Sequence, residues 1–227
     1  SEALPYLRRY ESATIVIKLG GAAMTDSESL SSFARDIVLM KQCKVNPIIV
    51  HGGGPMINEA LKKSKIDFTF IDGKRVTDAK AIKVVEMVLS GDVNRTIVTA
   101  LNSQGGKGIG LSGKDSSLLI CEKENENLGF VGKPVTANTE ILTHLVENDF
   151  IPVIAPIGTD YHGQTYNINA DTMAGVISAE MNADRLLLLT DVTGIKNSES
   201  ELIKRATSQE IKKLLESGVI LGGMIPK

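Results

Sequence analysis

A lysine followed closely by two glycines lies near the start of the chain, at Lys18, Gly20 and Gly21. The apolar run 14–17 precedes this group, and such a run predicts a β-strand that ends here. Glycines at the end of a strand expose backbone N–H groups, and a neighbouring ammonium adds positive charge. The combination favours an anionic ligand such as a phosphate.

A second segment has the same form. The apolar run 47–50 leads into His51, three glycines at 52–54, and Pro55, whose ring suits the first turn of a helix. Where two parallel strands both end in glycine-rich turns and a helix follows each, the turns meet at one edge of the sheet. The two segments therefore predict a single phosphate cradle.

Lys227 also lies close to a glycine pair, at 222–223. Taken alone, Lys18 or Lys227 is more typical of a solvated surface charge. Together with the glycine turns, the two lysines supply the cations and N–H donors that a transferring phosphoryl group needs. This chemistry depends on positioning and charge neutralisation, so it requires no nucleophilic side chain.

Further polar residues are candidates for ligand binding. Arg75 follows a predicted hairpin and is either a surface arginine or a two-pronged donor to a carboxylate. Asn167 and Asp171 flank a predicted helix start, so they either cap the helix or act on the ligand, with Asn167 binding substrate and Asp171 orienting the lysines. The loop 191–194 follows the apolar run 186–189, which we expect to be a buried strand, and is a candidate nucleotide loop.

Three motif matches lack the structural context that would give them meaning. Residues 108–113 fit GxGxxG and 108–114 fit GxxxxGK, but no helix is predicted after them, and Asp115 stands where a P-loop has Ser or Thr. His51 with its glycines resembles a hydrolase oxyanion loop, but the chain has no GxSxG nucleophile motif. No metal site is predicted, because the histidines are isolated from one another: His51, His144 and His162.

The composition is that of an ordinary globular protein. Of 227 residues, 42% are hydrophobic and 23% charged, and the net charge of −2 implies no nucleic-acid partner. Aromatic residues make up only 4% and tryptophan is absent, which disfavours a base- or sugar-stacking surface. Cys43 and Cys121 are far apart in sequence, so free thiols in a reducing compartment are favoured over a disulfide. No apolar run reaches the length of a membrane span, and no signal-peptide pattern is visible.

Strand and helix patterns alternate along the chain. This alternation predicts an α/β fold, a three-layer αβα sandwich with a mainly parallel central sheet. No linker rich in proline or serine separates the two halves of the chain. The predicted helices extend over about 27–42, 55–65, 140–147 and 208–217. A further helix carries residues 82–89, with its continuation through residue 101 left open, and another is entered at 167–171 and carries residues 173–181.

Taken together, these motifs resemble the amino acid kinase family, and within it the members that phosphorylate N-acetyl-L-glutamate. Arg75 within Arg-Val-Thr-Asp favours those members over carbamate, aspartate or nucleotide kinases of the same fold. The resemblance runs from residue 3 to residue 227 and rests on the segments 17–24, 50–55, 72–78, 110–115, 166–171, 189–194 and 222–227.

The resemblance implies a role for each candidate residue. Lys18 and Lys227 would stabilise the transition state, Asp171 would organise the two lysines, and Arg75 and Asn167 would hold N-acetyl-L-glutamate. The glycines that would donate backbone hydrogen bonds to the phosphoryl group and the substrate are Gly20, Gly21, Gly53 and Gly54. The residues that would border ATP are Asp191, Val192, Thr193, Gly194, Ile195 and Lys196. Mg²⁺ would be bound mainly through the nucleotide phosphates and water.

The resemblance also implies a domain organisation and partners. Residues 1–13 would form a helix that links dimers into a hexamer, as in arginine-inhibited members, and Tyr6 would line a site for L-arginine. Residues 14–165 would form the acetylglutamate-binding lobe and 166–227 an incomplete nucleotide-binding lobe, because family chains normally continue past this point. A PII-type signalling protein is a further possible partner, and the expected location is the cytoplasm, or the plastid stroma in a plant or alga.

Two other functions stay open at this stage. One is another small-carboxylate kinase of the same family. The other is a non-catalytic sensor of arginine or a nucleotide, against which the retention of both lysines argues.

Overall fold

The computed structural model describes residues 9–24, 26–190, 192–197, 199, 201–220 and 224. Tyr6, Asp191 and Lys227 lie outside the described residues, and so does most of the predicted N-terminal helix. The roles inferred for these three residues therefore stay predictions.

The described chain alternates strands and helices, as predicted. The strands are β1 (Thr14–Leu19), β2 (Asn46–His51), β3 (Phe70–Ile71), β4 (Lys74–Arg75), β5 (Gly108–Ser112), β6 (Leu119–Lys123), β7 (Gly132–Ala137), β8 (Ile151–Ala155), β9 (Ile157–Thr159), β10 (Thr165–Asn167) and β11 (Arg185–Leu189). The helices are α1 (Ser27–Gln42), α2 (Gly54–Lys63), α3 (Ala81–Glu86), α4 (Asn94–Ser103), α5 (Glu140–Glu147), α6 (Ala170–Glu180) and α7 (Ser208–Glu216), with a π-helical segment (Met87–Val93) joining α3 to α4.

The central sheet is parallel. Among the described residues it has five strands in the order β11-β1-β2-β8-β5, and every pair in it is parallel. A second sheet of four described strands, β10-β9-β6-β7, begins where the chain passes through Pro156 from β8 into β9. The strands β3 and β4 form the predicted hairpin, whose turn places both Asp72 (φ 49°) and Gly73 (φ 76°) in the left-handed region.

The sheet is covered by helices on both faces. Ile15, Ile17 and Leu19 of β1 pack into one core with α1, α2, α3 and α4. Val16, the residue between two of them, packs into a second core with α5 and α6. Because side chains alternate between the faces of a strand, β1 and β2 can be apolar on both sides. The predicted three-layer αβα arrangement is confirmed.

Residues 186–189 form the expected strand, but this strand is not buried as expected. β11 lies at the edge of the central sheet and pairs with β1 in the described part of the chain. Leu187 is 41% exposed and Leu189 is 40% exposed. An apolar sequence could not show this, because a buried strand and an edge strand can have the same composition.

Individual helix boundaries follow local signals. Asp26 accepts a hydrogen bond from the Ser29 N–H (2.7 Å) and caps α1. Thr207 and Glu210 form a capping box at the start of α7. No helix in the described ranges is both long and apolar enough to cross a membrane.

Candidate active site

The two glycine turns meet at the carboxyl edge of the central sheet. Leu19, the last residue of β1, pairs with His51 on one side and with Leu189 on the other. The Gly52 N–H donates to the Leu19 carbonyl (2.8 Å), and the Gly20 N–H donates to the Leu189 carbonyl (3.0 Å). The predicted juxtaposition of the turns is therefore confirmed, and it follows from the parallel register.

Lys18 and Asp171 form a buried ion pair beside these turns. The Lys18 Nζ lies 3.0 Å from the Asp171 Oδ1, and both side chains are at most 10% exposed. Lys18 lies on the same face of β1 as Val16, and this face packs against α6, whose first turn carries Asp171. An ion pair removed from water holds the ammonium in a fixed position, because the lysine has little room to choose another partner.

The turns and the ion pair open into one cavity of about 520 Å³. Arg75 and Asn167 lie on its wall together with the N-terminus of α6, so residues distant in sequence surround one space. Among the described residues, the predicted site residues that line this cavity are Lys18, Gly20, Gly21, Gly53, Gly54, Arg75, Asn167 and Asp171.

Arg75 contacts two aromatic rings at the wall of this cavity. Its guanidinium lies 4.8 Å from the Phe68 centroid and 4.7 Å from the Phe70 centroid, and the two rings pack edge to face on each other. Its Nη2 donates to the Gly54 carbonyl at 3.4 Å, whereas its buried Nη1 has no hydrogen-bond partner among the described residues. Burial lowers the pKa of Arg75 to about 10, so the group is charged at neutral pH. A buried cation with an unused donor suits a carboxylate ligand.

Asn167 lines the cavity and does not cap α6. It ends β10, and its Nδ2 donates to the Oγ1 of the buried Thr77 (3.3 Å). The cap of α6 is Asn169, whose Oδ1 accepts from the N–H groups of Asp171 (2.9 Å) and Thr172 (3.0 Å). The capping alternative for Asn167 is therefore wrong, and its carboxamide lies on the cavity wall.

Close packing requires glycine at three positions of the turns, whereas a Cβ on Gly54 would meet no atom within 4 Å. A Cβ on Gly21 would lie 2.7 Å from the Pro55 Cδ, and one on Gly53 would lie 2.6 Å from a methyl group of Leu89. A Cβ on Gly20 would lie 2.9 Å from the Leu189 carbonyl oxygen. Side chains at these positions would therefore push the two turns apart or fill the cavity.

The described residues of the predicted nucleotide loop do not line this cavity: Val192, Thr193, Gly194, Ile195 and Lys196. The two residues directly before the loop, Leu189 and Thr190, do line it. The loop residues run into a short hairpin, in which the Ile203 N–H donates to the Ile195 carbonyl (2.8 Å) and Lys196 bridges to Leu202. Their proposed contact with ATP is left as a prediction.

Sequence reasoning missed the neighbours that support the site. His51 is fully buried, and Asn94 reaches it from α4. Phe68 and Phe70 hold Arg75, and Lys74 pairs with Glu124 beside the hairpin. A histidine directly before three glycines was the available signal for His51. Nothing in the sequence marked the π-helical segment that brings Asn94 into place.

The GxGxxG match has a packing explanation. Residues Gly108–Ser112 form β5, and a 3-10 turn, not an α-helix, follows at Asp115–Ser117. A Cβ on Gly110 would collide with the Asn94 Oδ1, and one on Gly113 with the Ile157 carbonyl oxygen. The glycines of this motif therefore make room for neighbouring groups. In the described ranges, no group of three or more His, Cys, Asp or Glu side chains could hold a metal ion.

The sequence model of the amino acid kinase family matches residues 13–227, nearly the whole chain. The chain belongs to the amino acid kinase family.

Similar proteins place this amino acid kinase more narrowly. It is 58% identical over 227 residues to a protein of Dinoroseobacter shibae named acetylglutamate kinase, covering all of this chain and 79% of the relative. A protein of Jannaschia sp. with the same name is 54% identical, with 100% of this chain and 80% of the relative covered.

Solved structures share the fold of this amino acid kinase. A Streptococcus mutans UA159 protein, smu.665, superposes with a TM-score of 0.84 at 28% identity, over 94% of this chain and 86% of that one. An N-acetylglutamate synthase of Neisseria gonorrhoeae, solved with coenzyme A and N-acetyl-glutamate, gives a TM-score of 0.82 at 22% identity, over 95% of this chain and 50% of that one. The second likeness shows the fold alone.

Proposed function

We propose that this amino acid kinase transfers the γ-phosphoryl group of ATP to the γ-carboxylate of N-acetyl-L-glutamate. The products are N-acetyl-L-glutamyl 5-phosphate and ADP, in the second step of arginine biosynthesis. The observation that carries the proposal is the shared cavity, whose wall contains the buried Lys18–Asp171 pair, the glycine turns and the buried guanidinium of Arg75. The relatives named acetylglutamate kinase support this choice of substrate.

In the proposed complex, the transferring phosphoryl group lies at the glycine turns. The N–H groups of Gly20, Gly21, Gly53 and Gly54 would donate to its oxygens, and the Lys18 ammonium would neutralise the charge that develops during transfer. Asp171 holds that ammonium at 3.0 Å, so Lys18 does not have to be ordered at the moment of reaction. Lys227 is proposed as the second cation, which Asp171 would also orient.

In the proposed complex, N-acetyl-L-glutamate lies against the hairpin of β3 and β4. Arg75 would bind one of its carboxylates through the unused Nη1, and Asn167 would contact its amide end. The γ-carboxylate is already ionised at neutral pH, so it attacks in line without a general base. A mechanism without a general base is consistent with the described lining of the cavity, which contains no histidine or cysteine.

Mg²⁺ fits this site only through the nucleotide. Asp171 is the carboxylate on the described cavity wall, and it is bound to Lys18, so the described residues offer no set of acidic ligands. When bound, the ion would neutralise phosphate charge, held by phosphate oxygens and water. The loop 191–196 is proposed to border ATP.

Regulation and assembly belong to the proposal as well. The N-terminal helix would link dimers into a hexamer, with L-arginine as inhibitor at a site that Tyr6 lines, and a PII-type protein is a further proposed partner. The proposed lobes are residues 14–165 and 166–227, and the proposed location is the cytoplasm.

The decisive experiment is a coupled assay of ADP release with different acceptors. Because the chain covers 79–80% of the relatives cited, the assay uses the full gene product. Turnover is expected with N-acetylglutamate and not with glutamate, aspartate or carbamate. Turnover with another acceptor would make the protein a different carboxylate kinase of the family, and arginine binding without any turnover would make it a sensor.

A further inference from the structure

His51 and Asn94 form a buried polar pair beneath the second glycine turn. Both residues are 0% exposed. His51 ends β2 and faces the helical layer that contains α4, where Asn94 is the first residue. The Asn94 Nδ2 donates to the His51 Nε2 (3.2 Å) and to the Val153 carbonyl of β8 (2.9 Å). A buried polar pair is costly unless its hydrogen bonds are made, so its arrangement calls for an explanation.

The partners of the ring assign its protonation. The His51 Nδ1 lies 2.7 Å from the Gly52 carbonyl oxygen, which only accepts, so Nδ1 carries the proton. The Nε2 accepts from Asn94, so it carries none. Burial lowers the pKa of His51 to about 4, which agrees with a neutral imidazole at neutral pH. The ring is therefore held in one tautomer and one orientation.

We propose that His51 and Asn94 are positioning residues that turn the Gly53 N–H toward the transferring phosphoryl group. The Gly52–Gly53 peptide bond is trans, so the Gly52 carbonyl and the Gly53 N–H point in opposite directions. The ring draws the carbonyl down toward the buried layer, and the N–H then points up toward the cavity that both glycines line. The Gly53 carbonyl accepts from the Ile57 N–H of α2 (2.9 Å), which holds the far side of the residue.

Glycine needs such a support more than other residues do. Without a side chain, a Gly-Gly peptide can rotate between orientations at little steric cost. In the rotated orientation the Gly52 carbonyl would face the cavity and repel an anionic phosphoryl group. A fixed donor is worth most in catalysis because it needs no reorganisation during the reaction.

The π-helical segment braces the same turn from a second side. Leu89, within this segment, lies where a Cβ on Gly53 would be only 2.6 Å from its methyl group. Asn94 follows the segment directly. π-helical turns are rare in proteins, but those that occur are often found at functional sites. The wider turn changes the direction of the side chains that follow it. Here the segment brings both Leu89 and Asn94 to the glycine turn.

The inference rests on the proposed phosphoryl transfer, and a pair of variants tests it in the full gene product. His51→Phe keeps the ring but removes the donor to Gly52, so kcat is expected to fall about ten- to hundredfold, with KM for N-acetylglutamate changed less than about threefold. His51→Asn keeps a donor near the Nδ1 position and is expected to hold kcat within about threefold of the wild type. His144→Phe, at an exposed histidine on α5, is the matched control.

Melting temperatures show whether a change in kcat comes from the position of the Gly53 N–H or from a loss of protein stability. His51→Asn leaves a cavity that His51→Phe does not, so it is expected to be at least as destabilised. A higher kcat in the less stable variant cannot come from stability. If kcat instead follows the melting temperature in both variants, or if His51→Phe matches an active wild type, the inference is overturned.

A second measurement needs only the wild type. Long-range ¹⁵N–¹H NMR spectra of ¹⁵N-histidine-labelled protein at pH 7 are expected to show a neutral His51 protonated on Nδ1, and protonation on Nε2 would overturn the inference even if no variant folds. A wild type without kinase turnover would refute the proposed function. The tautomer of His51 would still show whether its ring donates to the Gly52 carbonyl. Failure of this inference and failure of the proposed function can therefore be told apart.

Discussion

Lys18 owes its position to the face of β1 on which it lies. Its neighbours in sequence, Ile17 and Leu19, point into one core, so Lys18 points toward the layer of α6 and meets Asp171 there. His51 follows the same rule on the other face, where it meets Asn94. A polar group can be buried at the end of an apolar strand because each face supplies it with one matched partner.

Replacing Lys18 by alanine tests the transition-state role of its ammonium. We expect kcat to fall about a hundredfold or more, with KM for both substrates within about fivefold, since the lysine acts on charge that develops during transfer. Lys63→Ala, at an exposed lysine of α2, is the matched control. An effect confined to KM would contradict the role. Melting curves are needed in parallel, because the change also takes the Lys18 charge away from Asp171.

Arg75→Lys tests whether the guanidinium binds N-acetyl-L-glutamate. An ammonium cannot form the forked pair of hydrogen bonds or stack on the rings of Phe68 and Phe70 as a planar group does. KM for N-acetylglutamate is expected to rise about tenfold or more, while KM for ATP stays the same. Arg35→Lys, at an exposed position of α1, provides the control. Equal rises in both KM values would indicate a general disturbance of the cavity.

The buried imidazole of His51 predicts a loss of stability in acid. Its pKa is lowered to about 4 in the folded state, so between about pH 6.5 and pH 4 the unfolded chain binds a proton that the folded chain does not. From pH 7.5 to pH 5, the free energy of unfolding should fall by about 2 kcal/mol more in the wild type than in His51→Asn. Urea titrations at the two pH values measure this. A difference that is independent of pH would contradict the neutral buried ring.

Two glycines, Gly110 in a strand and Gly175 in a helix, have very different surroundings. In β5, Gly110 leaves room for the side chain of Asn94, which cannot withdraw without losing its bonds to His51 and Val153. In α6, a Cβ added at Gly175 would have open space around it, with no neighbouring atom within 4 Å. The same substitution should therefore have opposite effects in the two elements.

Gly110→Ala and Gly175→Ala form a matched pair. Gly110→Ala is expected to lower the free energy of unfolding by about 2–4 kcal/mol through overpacking. Gly175→Ala is expected to raise it by about 0.5–1 kcal/mol, because alanine restricts the unfolded chain and favours the helix. Chemical denaturation of both variants measures the two effects. Similar values for the two would show that the space around Gly110 is not limiting.

The central sheet joins the two proposed lobes. β1 lies in the proposed acetylglutamate lobe and pairs in register with β11 of the proposed nucleotide lobe. At the other end of the described chain, Ser12 donates to the Lys44 carbonyl (2.8 Å), and the Tyr10 ring lies 5.9 Å from the Arg185 guanidinium. The segment that enters β1 is therefore tied to both proposed lobes, at the amino ends of the strands and not at the glycine turns.

Deleting residues 1–12 tests the proposed assembly of the full gene product. If the N-terminal helix links dimers, the deletion should convert hexamers to dimers and abolish inhibition by L-arginine. Light scattering after size-exclusion chromatography and an arginine titration of the activity measure the two outcomes. Deleting only residues 1–8 keeps Tyr10 on the core and controls for a loss of folding. A deleted protein that stays hexameric and arginine-sensitive would contradict this proposal.

The sequence was sufficient for most of the elements and for part of the cavity wall. Helix boundaries and the hairpin turn at Asp72-Gly73 are set by local signals: caps, glycine conformations and periodicity. The meeting of the two glycine turns was predicted from the strand before each and the helix after it, because parallel strands end at one edge of a sheet. Lys18, Arg75 and Asn167 were candidates from the sequence as a set, each with a surface or capping alternative, and all three line one cavity.

Other features depended on contacts between residues far apart in the chain. Three features follow from which elements become neighbours. They are the exposure of β11, the contact of Arg75 with two aromatic rings, and the burial of His51 against Asn94, which we propose supports Gly53. A linear pattern records how often apolar residues recur, but not which surface they meet. Local signals could therefore predict the strands and turns, whereas burial, protonation and the direction of a peptide N–H required the packed chain.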